Sequence, residues 1–434
     1  MGKTKNDEAW EKLFDEHDIL SKVNRNGHFI IDSEQIKKYR ESRLMTKFDH
    51  SVNLPKLFKD NQISILPVTR RSYIIGHFEN YQKVKYLNEK NIKQMSFPVF
   101  FESIDYNNIY SESAAINCAN LVGIIEDLVN EEAFLTVSGR MTTDKFDFKI
   151  RTIGSSLYDV NVDRAQIEID AGFETNNYFL LIEAKNTSVD DFLIRQLYYP
   201  YRYWQSQLKK EVIPIFMTYS NDVFSFFLYR FSKKNEYNSI ELIEQKHYSI
   251  ETDKIIKEDI YNIFKKAERA REPEIPFPQA DSFFRVIDFM GLLYDDDMTK
   301  EELALNYEFD IHKRQFDYYI NAARYLGLVE RYESNTGETT YRLSDRGRNI
   351  MSKPRKVKNL LIAETIMEHE VFYKAMDIYF NKHRIPIKDE VVKIMKDCYV
   401  YNVNYPSTVE RRAQTVIKWI EWIVSLTETN LFSQ

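Results

Sequence analysis

The sequence predicts an α/β fold of the α+β kind, in which a core with a mixed sheet is followed by a mostly α-helical C-terminal region. Two observations support this. Between residues 100 and 230, short apolar runs that suit strands alternate with apolar residues at helical spacing. Beyond a linker with prolines at 273, 276 and 278, the apolar residues recur mainly at helical spacing.

The composition is that of an intracellular enzyme. Of the 434 residues, 60 are Lys or Arg and 66 are Asp or Glu, which gives a net charge of −6. Cys118 and Cys398 are far apart, so they provide neither a disulfide framework nor a CxxC metal site. No apolar run reaches membrane-spanning length, and no signal peptide is recognisable. We therefore expect a cytoplasmic bacterial protein with no membrane partner.

The most informative segment is a predicted β-hairpin between residues 166 and 185. In its first strand, Gln166, Glu168 and Asp170 alternate with Ile167 and Ile169, and in the second an apolar run leads into Glu183-Ala-Lys185. Ala171-Gly172 and Thr175-Asn-Asn177 supply turn residues between them. A hairpin of this kind brings Asp170, Glu183 and Lys185 to one place.

This combination of charges indicates a metal site. Two carboxylates about 5 Å apart repel each other by roughly 3 kcal/mol at an effective dielectric of about 20. A divalent cation removes that penalty, and oxygen ligands favour magnesium or manganese over zinc. A neighbouring ammonium can then orient a water molecule or neutralise a phosphate. The predicted chemistry is metal-assisted hydrolysis of a phosphodiester.

At these residues the chain resembles the PD-(D/E)xK nuclease superfamily, over about residues 100 to 230. Asp170 corresponds to the first acid and Glu183-Ala184-Lys185 to the second element, with Ile169 where the family usually has proline. The resemblance implies that Mg²⁺ is bound by Asp170, Glu183 and the Ala184 carbonyl, with Mn²⁺ as a substitute. It also implies that Lys185 assists the attacking water.

The flanking segments agree with the αβββαβ order of that superfamily. They are a helix that Ser111 caps, a strand at 146–150, the hairpin, a helix at 188–199, and strands at 212–217 and 223–229. The resemblance assigns Glu112 to the metal shell and Gln196 to a Gln-x-x-x-Tyr element, although Pro200 stands at the Tyr position. Pro200 should also end or kink its helix.

Each assignment has a simpler alternative. Asp170 could be a turn residue, with Glu168 as the metal ligand. The acid-x-Lys pair could be an exposed ion pair on a strand. Glu112 could serve only to stabilise its helix, because a negative side chain interacts favourably with the positive N-terminal end of a helix. Gln196 could be a solvated helix residue.

Residues 282 to 352 resemble a winged helix-turn-helix domain. The pattern predicts helices at 283–293, at 298–304 with Thr299 as cap and Glu302 closing a capping box, and at 311–326, which Gly327 ends. A hairpin with turn residues at 335–337 follows. In that family the third helix enters the major groove, and the basic wing region contacts phosphates. The candidate DNA-binding residues are Lys313, Arg314, Gln315, Asn321, Arg324, Arg346 and Arg348. The simpler alternative is a solvated face on a dimerisation or scaffold domain.

The sequence thus predicts five segments. They are an N-terminal α/β region (1–95) that is a candidate for DNA contact, a nuclease core (96–245), a helix and proline-rich linker (246–280), a winged helix-turn-helix domain (281–355) and a C-terminal helical region (356–434).

Together these resemble a type II restriction endonuclease, a Mg²⁺-dependent enzyme that cuts double-stranded DNA at a specific sequence. The implied partners are double-stranded DNA, a second copy of the chain in a homodimer, and a cognate DNA methyltransferase as genetic partner. Two alternatives remain open: a modification-dependent or repair and recombination nuclease with the same core, and a non-catalytic winged-helix regulator.

Overall fold

The computed structural model describes residues 4–86, 92–98, 100–250, 254–306, 315–334, 337–401, 403 and 406–427. The chain divides into two compact units. Unit 1 consists of residues 1–87 and 115–249, and unit 2 consists of residues 88–114 and 250–434. The fold is mixed α/β with a mixed sheet and a helical C-terminal region, so this part of the predicted fold class is confirmed.

The elements are as follows. The helices are α1 (Lys5–His17), α2 (Ile19–Asn26), α3 (Ser33–Lys37), α4 (Ser42–Thr46), α5 (Lys56–Asp60), α6 (Glu112–Leu121), α7 (Ile124–Val129), α8 (Arg195–Gln207), α9 (Lys257–Lys266), α10 (Phe283–Leu292), α11 (Lys300–Asn306), α12 (Gln315–Tyr325), α13 (Asp345–Met351), α14 (Arg355–Met367), α15 (Glu370–Lys382), α16 (Lys388–Asp397) and α17 (Pro406–Ser425), with a 3-10 turn at Ser51–Asn53. The strands are β1 (His28–Asp32), β2 (Ser64–Pro67), β3 (Ser72–Gly76), β4 (Tyr81–Lys83), β5 (Lys93–Met95), β6 (Phe134–Thr142), β7 (Phe146–Arg151), β8 (Leu157–Val162), β9 (Gln166–Glu174), β10 (Tyr178–Lys185), β11 (Asp191–Leu193), β12 (Glu211–Ser220), β13 (Val223–Phe231), β14 (Ile240–Ile250), β15 (Met298–Thr299), β16 (Val329–Glu333) and β17 (Thr339–Leu343).

The first part of unit 1 is a small α/β layer with its own core. Strands β1, β3 and β2 form an antiparallel sheet with β3 in the centre. Helix α1 starts at a capping box in which Thr4 and Asp7 each bond the other's backbone N–H. Its buried Trp10 meets Phe58 of α5 edge to face, so the helix packs on this core through large aromatic side chains.

Six strands of unit 1 form the mixed sheet, in the order β14-β13-β12-β10-β9-β6. All neighbours are antiparallel except β10 and β12, which run parallel. A parallel pair needs a crossover connection, and α8 provides it because it lies between the two strands in sequence. Helix α8 packs against β9, β10 and β12 and closes the main core of the unit.

The predicted hairpin is confirmed, since β9 and β10 pair antiparallel from Glu174 opposite Phe179 to Ala171 opposite Ile182. The turn is tighter than predicted. Thr175 closes it by a backbone bond to Tyr178 and a side-chain bond to the same residue, whereas Ala171 and Gly172 lie inside β9. Gly172 is needed there for a different reason, because a Cβ atom would lie 2.6 Å from the Phe179 ring.

Two elements predicted around the hairpin are present, but the sheet position of one and the bounds of the other were predicted wrongly. The segment at 146–150 does form a strand, β7, but it pairs with β8 in a separate two-stranded sheet, and β6 is the strand beside β9. The helix predicted at 188–199 starts only at Arg195, because 191–193 pair with β4 as strand β11. Pro200 does not end α8, which continues to Gln207.

In unit 2, helices α10, α11 and α12 are followed by the antiparallel hairpin β16–β17, and β15 adds a third strand beside β17. The predicted capping box is present, since Thr299 and Glu302 each accept the other's backbone N–H. Gly327 follows α12 at φ +69°, as expected for a helix end. Helices α13 to α17 complete one continuous core with α10 and α12.

Among the residues described, no helix is long and apolar enough to cross a membrane. Cys118 and Cys398 are both free thiols, as the sequence predicts.

Candidate active site

Asp170 and the end of β10 are joined where the β9–β10 pairing stops. The last paired residues are Ala171 and Ile182, so Asp170 and Glu183 are the next residues on their strands. Here the Asp170 carboxylate accepts the backbone N–H of Ala184 at 2.8 Å. A side-chain oxygen thus replaces the carbonyl that a continuing ladder would use, and it holds the Asp170 carboxylate against the acid-x-Lys element.

Lys185 and Gln196 both bind the carboxylate of Glu183. Glu183 is only 7% exposed, and its Oε1 accepts two hydrogen bonds, from Lys185 Nζ at 2.6 Å and from Gln196 Nε2 at 2.5 Å. Lys185 Nζ also donates to the Ala184 carbonyl at 3.0 Å. The structure therefore brings together five of the predicted residues, namely Asp170, Glu183, Ala184, Lys185 and Gln196, and the pair Glu183–Lys185 is not an ordinary exposed ion pair.

The alternative ligand Glu168 lies elsewhere on β9. It is exposed and pairs across the sheet with Arg140 of β6, at 3.3 Å between Glu168 Oε1 and Arg140 Nε. Since Glu168 and Asp170 share a strand face but differ in partner, only Asp170 is tied to β10. The geometry favours Asp170 over Glu168 as the first acid.

Helix α8 positions Gln196 because it starts directly beside Glu183. Gln196 is the second helical residue, so its side chain leaves the positive end of a 13-residue helix. The Gln196 Oε1 and the Arg195 Nε are buried and have no hydrogen-bond partner among the described residues.

The segment 49–51 of the N-terminal layer is fastened to strand β11, immediately before α8. The Leu193 N–H donates to the Asp49 carbonyl at 2.8 Å, and His50 Nδ1 donates to the Asp191 carbonyl at 2.6 Å. Ser51 donates its backbone N–H and its hydroxyl to the Asp191 carboxylate. This attachment brings the Asp49 carboxylate into the electrostatic field of Lys185 and Arg195.

Burial and the surrounding charges both act on the titrating groups of this segment. Burial raises the pKa of the Asp49 carboxyl, but the positive charges around it, led by Lys185 and Lys47, outweigh burial and leave that pKa below its ordinary value. Burial lowers the pKa of His50, and the hydrogen bond to Asp191 offsets only part of this effect. His50 is therefore a neutral donor, and Asp49 is a carboxylate in the electrostatic field of Lys185.

A row of polar residues continues from Lys185 across the sheet. The register places Lys185 opposite Thr218, Thr218 opposite Ser225, and Ser225 opposite His247. The last three are at most 3% exposed, and His247 Nδ1 lies 2.9 Å from the Ser225 hydroxyl. Tyr86 donates its hydroxyl to Thr218 at 3.3 Å. Because paired residues lie on the same face of a sheet, these polar side chains form a continuous row on the face that carries Lys185.

Glu112 is the first residue of α6, and Ser111 caps that helix by accepting the Ala114 N–H. Glu112 belongs to unit 2, so its place in the metal shell stays a prediction. In the described part of the chain, no group of three or more His, Cys, Asp or Glu side chains is arranged to hold a metal ion.

The predicted DNA-binding residues of unit 2 are in different situations. Lys313 and Arg314 lie outside the described residues, and Gln315 is the first residue of α12. Arg324 donates to Asn321 at 3.1 Å, and residues 316–326 are all buried or half-buried.

The two arginines that follow the wing have partners within unit 2. Arg346 forms a two-pronged ion pair with Glu368, and Arg348 donates to the Tyr294 carbonyl at 2.7 Å. Both guanidinium groups therefore already interact with other residues of unit 2.

Three groups of residues at this site were not predicted from the sequence. Asp49 and His50 come from a segment more than a hundred residues earlier, and no spacing links them to the hairpin. Arg195 precedes Gln196 and could have been found from the start of the helix. Thr218, Ser225 and His247 follow from strand register, which a single sequence does not give.

Three family models match parts of the chain, and all three describe domains of unknown function. DUF6996 matches residues 7–75, DUF6997 matches residues 76–249, and DUF7226 matches residues 285–428. No curated protein and no solved structure matches the chain. Asp170, Glu183, Lys185 and Gln196 all fall within the region that DUF6997 matches.

Proposed function

We propose that unit 1 carries a PD-(D/E)xK nuclease centre and that the chain is a Mg²⁺-dependent endonuclease of double-stranded DNA, of the type II restriction kind. The observation that carries the proposal is the convergence of Asp170, Glu183, Lys185 and Gln196 at the open end of one β-hairpin. The order of elements supports it. A helix, three antiparallel strands, a crossover helix and a parallel strand correspond to α6, β6–β9–β10, α8 and β12.

The oxygen atoms at this place suit a hard divalent cation. Mg²⁺ is usually bound by one or two carboxylates, with water and substrate phosphate filling the other positions. Two carboxylates and the Ala184 carbonyl meet that need without a third acidic side chain. When bound, the ion would polarise the phosphodiester and lower the pKa of a coordinated water.

Lys185 supports the same assignment. Its ammonium donates hydrogen bonds to the Glu183 carboxylate and to the Ala184 carbonyl. These are the two groups of β10 that would bind the cation. This position is therefore favourable for positive charge. An ammonium and a metal ion repel each other, so a bound cation would leave Lys185 to hold the attacking water or a phosphate oxygen.

For unit 2 we infer a winged helix-turn-helix arrangement that recognises DNA. Three helices, a two-stranded hairpin and the extra strand β15 support it. Because Arg346 and Arg348 are engaged within the unit, we assign the first DNA contacts to Gln315, the first residue of α12, and to Lys313 and Arg314, which precede it in the sequence. A homodimer would cut both strands, and a cognate methyltransferase would protect host DNA.

Plasmid and phage DNA, methylated and unmethylated, are the substrates for the test, with MgCl₂ or MnCl₂ added. We expect wild-type protein to cut and Lys185→Met to lose activity by roughly a hundredfold or more. The matched control is Lys149→Met, because Asp147-Phe-Lys149 is a second acid-x-Lys triplet on β7, in which the acid and the lysine are exposed. The proposal fails if wild-type protein cuts none of these DNAs, or if Lys185→Met cuts as fast as Lys149→Met.

A further inference from the structure

Unit 2 contains a cavity of about 190 Å³ between the linker and helices α12 and α17. Phe277 and Gln279 of the linker, Asp317, Tyr318 and Asn321 of α12, and Arg412 of α17 line it. Pro276 of the linker also lines it, so the proline and the two aromatic rings form apolar walls, and the remaining side chains are polar. None of these residues has a role in the nuclease centre of unit 1.

Arg412 is the least compensated charge of this cavity. Its Nε is buried and has no hydrogen-bond partner among the described residues. Burial, together with the charge of Arg411, lowers the pKa of the Arg412 guanidinium to about 10. The acid in the described lining is Asp317, and Lys300 already binds that carboxylate at 2.6 Å. A half-buried cation in this situation is stabilised by an anion that enters from outside.

The other polar groups of the cavity also offer donors. Asn321 Oδ1 accepts from Arg324, which leaves the Asn321 amide N–H groups to donate elsewhere. In the part of the chain that the structure describes, the side chains of Gln279 and Tyr318 make no hydrogen bond to another residue. The cavity thus presents a guanidinium, two amides and a phenol to any group that can accept.

We propose that this cavity binds a phosphate group, with Arg412 as its principal cation. A phosphate offers several acceptor oxygens and the negative charge that would compensate Arg412, and charge-assisted bonds of this kind are about twice as strong as neutral ones. The apolar walls reduce the contact of Arg412 with water, which strengthens that attraction. The phosphate comes either from a DNA strand or from a free phosphorylated small molecule.

The test uses the full-length protein and inorganic phosphate as the probe, titrated by calorimetry at constant ionic strength. We expect Arg412→Gln to weaken phosphate binding by roughly tenfold or more. Arg411→Gln is the matched control, because it removes the same charge from the neighbouring, exposed position, which does not line the cavity. Its affinity should stay within a few-fold of wild type.

Stability in phosphate-free buffer separates a binding role from a structural one. Since the charge of Arg412 is uncompensated, Arg412→Gln should unfold at a temperature no lower than wild type, and only wild type and Arg411→Gln should gain stability from added phosphate. The proposal is overturned if wild type shows no heat with millimolar phosphate, or if both variants lose affinity equally.

The source of the phosphate is decided by fluorescence anisotropy with a labelled duplex. If it is DNA, Arg412→Gln will bind the duplex more weakly than Arg411→Gln, and inorganic phosphate will compete with the duplex at fixed ionic strength. If it is a free compound, both variants will bind the duplex alike while only Arg412→Gln has lost phosphate binding. Either result supports a phosphate site and assigns its ligand.

Discussion

Asp170 and Ala184 are joined across adjoining strands by one hydrogen bond, in which the Ala184 N–H donates to the Asp170 carboxylate at 2.8 Å. This bond lies one step beyond the last paired residues of the hairpin, Ala171 and Ile182. The bond fixes the carboxylate beside the acid-x-Lys element. Because the donor is an uncharged backbone N–H, it does not neutralise the carboxylate. The same side chain can therefore hold the hairpin together and serve a cation.

The first prediction separates these two roles of Asp170. In Asp170→Asn the amide oxygen can still accept the Ala184 N–H, so the fold should persist while the charge is lost. We expect Mg²⁺-dependent plasmid cleavage to fall by roughly 10- to 100-fold or more. Glu168→Gln, on the same face of the same strand, should cleave like wild type because Glu168 is exposed and pairs with Arg140.

Circular dichroism and a cleavage time course check this prediction. If Glu168→Gln loses activity while Asp170→Asn keeps it, Glu168 is the ligand and the alternative interpretation of the hairpin is correct.

The second prediction concerns Gln196, which donates to Glu183 Oε1 at 2.5 Å from the start of α8. In Gln196→Leu the carboxylate loses an orienting donor, so we expect the Mg²⁺ concentration for half-maximal cleavage to rise by roughly tenfold. The rate at saturating Mg²⁺ should change less. Gln207→Leu, at the exposed end of the same helix, is the control. An unchanged Mg²⁺ dependence in Gln196→Leu would remove Gln196 from the site.

The hairpin could be predicted because its physical cause is local. Alternating side chains in β9, a continuous apolar run in β10 and polar turn residues between them specify two paired strands without help from the rest of the chain. The convergence of Asp170, Glu183 and Lys185 then follows from strand geometry alone. Gln196 was found through resemblance, and its bond to Glu183 depends on how α8 returns over the sheet.

What could not be predicted depends on distant parts of the chain. Strand β6 is largely exposed and lacks a clean apolar alternation, so the more regular β7 was taken for the first strand. Residues 191–193 have helical spacing with their neighbours, but pairing with β4, more than a hundred residues earlier, makes them a strand. For the same reason Asp49 gave no signal, because only the fold brings it towards Lys185.

The third prediction tests the close packing of the hairpin at Gly172. A Cβ atom there would lie 2.6 Å from Phe179 Cζ and 3.1 Å from Val137 Cβ, and both neighbours belong to adjoining strands. We expect Gly172→Ala to lower the free energy of unfolding by about 1 to 3 kcal/mol, and Phe179→Leu in the same chain to restore part of that loss. Gly154→Ala is the control, since its nearest neighbour lies 4.0 Å away. Urea denaturation measures all four proteins, and equal midpoints for the two glycine variants would contradict the packing argument.

The fourth prediction concerns the pH dependence that His369 gives to unit 2. His369 is 5% exposed, stacks on Tyr325 and lies 4.0 Å from the Glu272 carboxylate. Burial, with a smaller effect of Arg346, lowers the pKa of His369 to about 4. The folded protein keeps this imidazole neutral, whereas the unfolded chain takes up a proton below about pH 6.5. The stabilisation is therefore complete above pH 6.5 and is lost as the pH falls towards 4.

Between pH 7.5 and pH 5, this single group should cost wild type roughly 2 kcal/mol of unfolding free energy. His369→Asn should lose less stability than wild type over that interval by about the same amount, whatever its stability at pH 7.5. His383→Asn, at an exposed position of the same unit, should follow wild type. Urea denaturation at the two pH values, followed by tryptophan fluorescence, provides the comparison.

Glu272, whose pKa burial raises, titrates in all three proteins, so its contribution largely cancels in the difference. If His369→Asn and His383→Asn lose the same stability as wild type, the buried imidazole is not the source of the acid sensitivity.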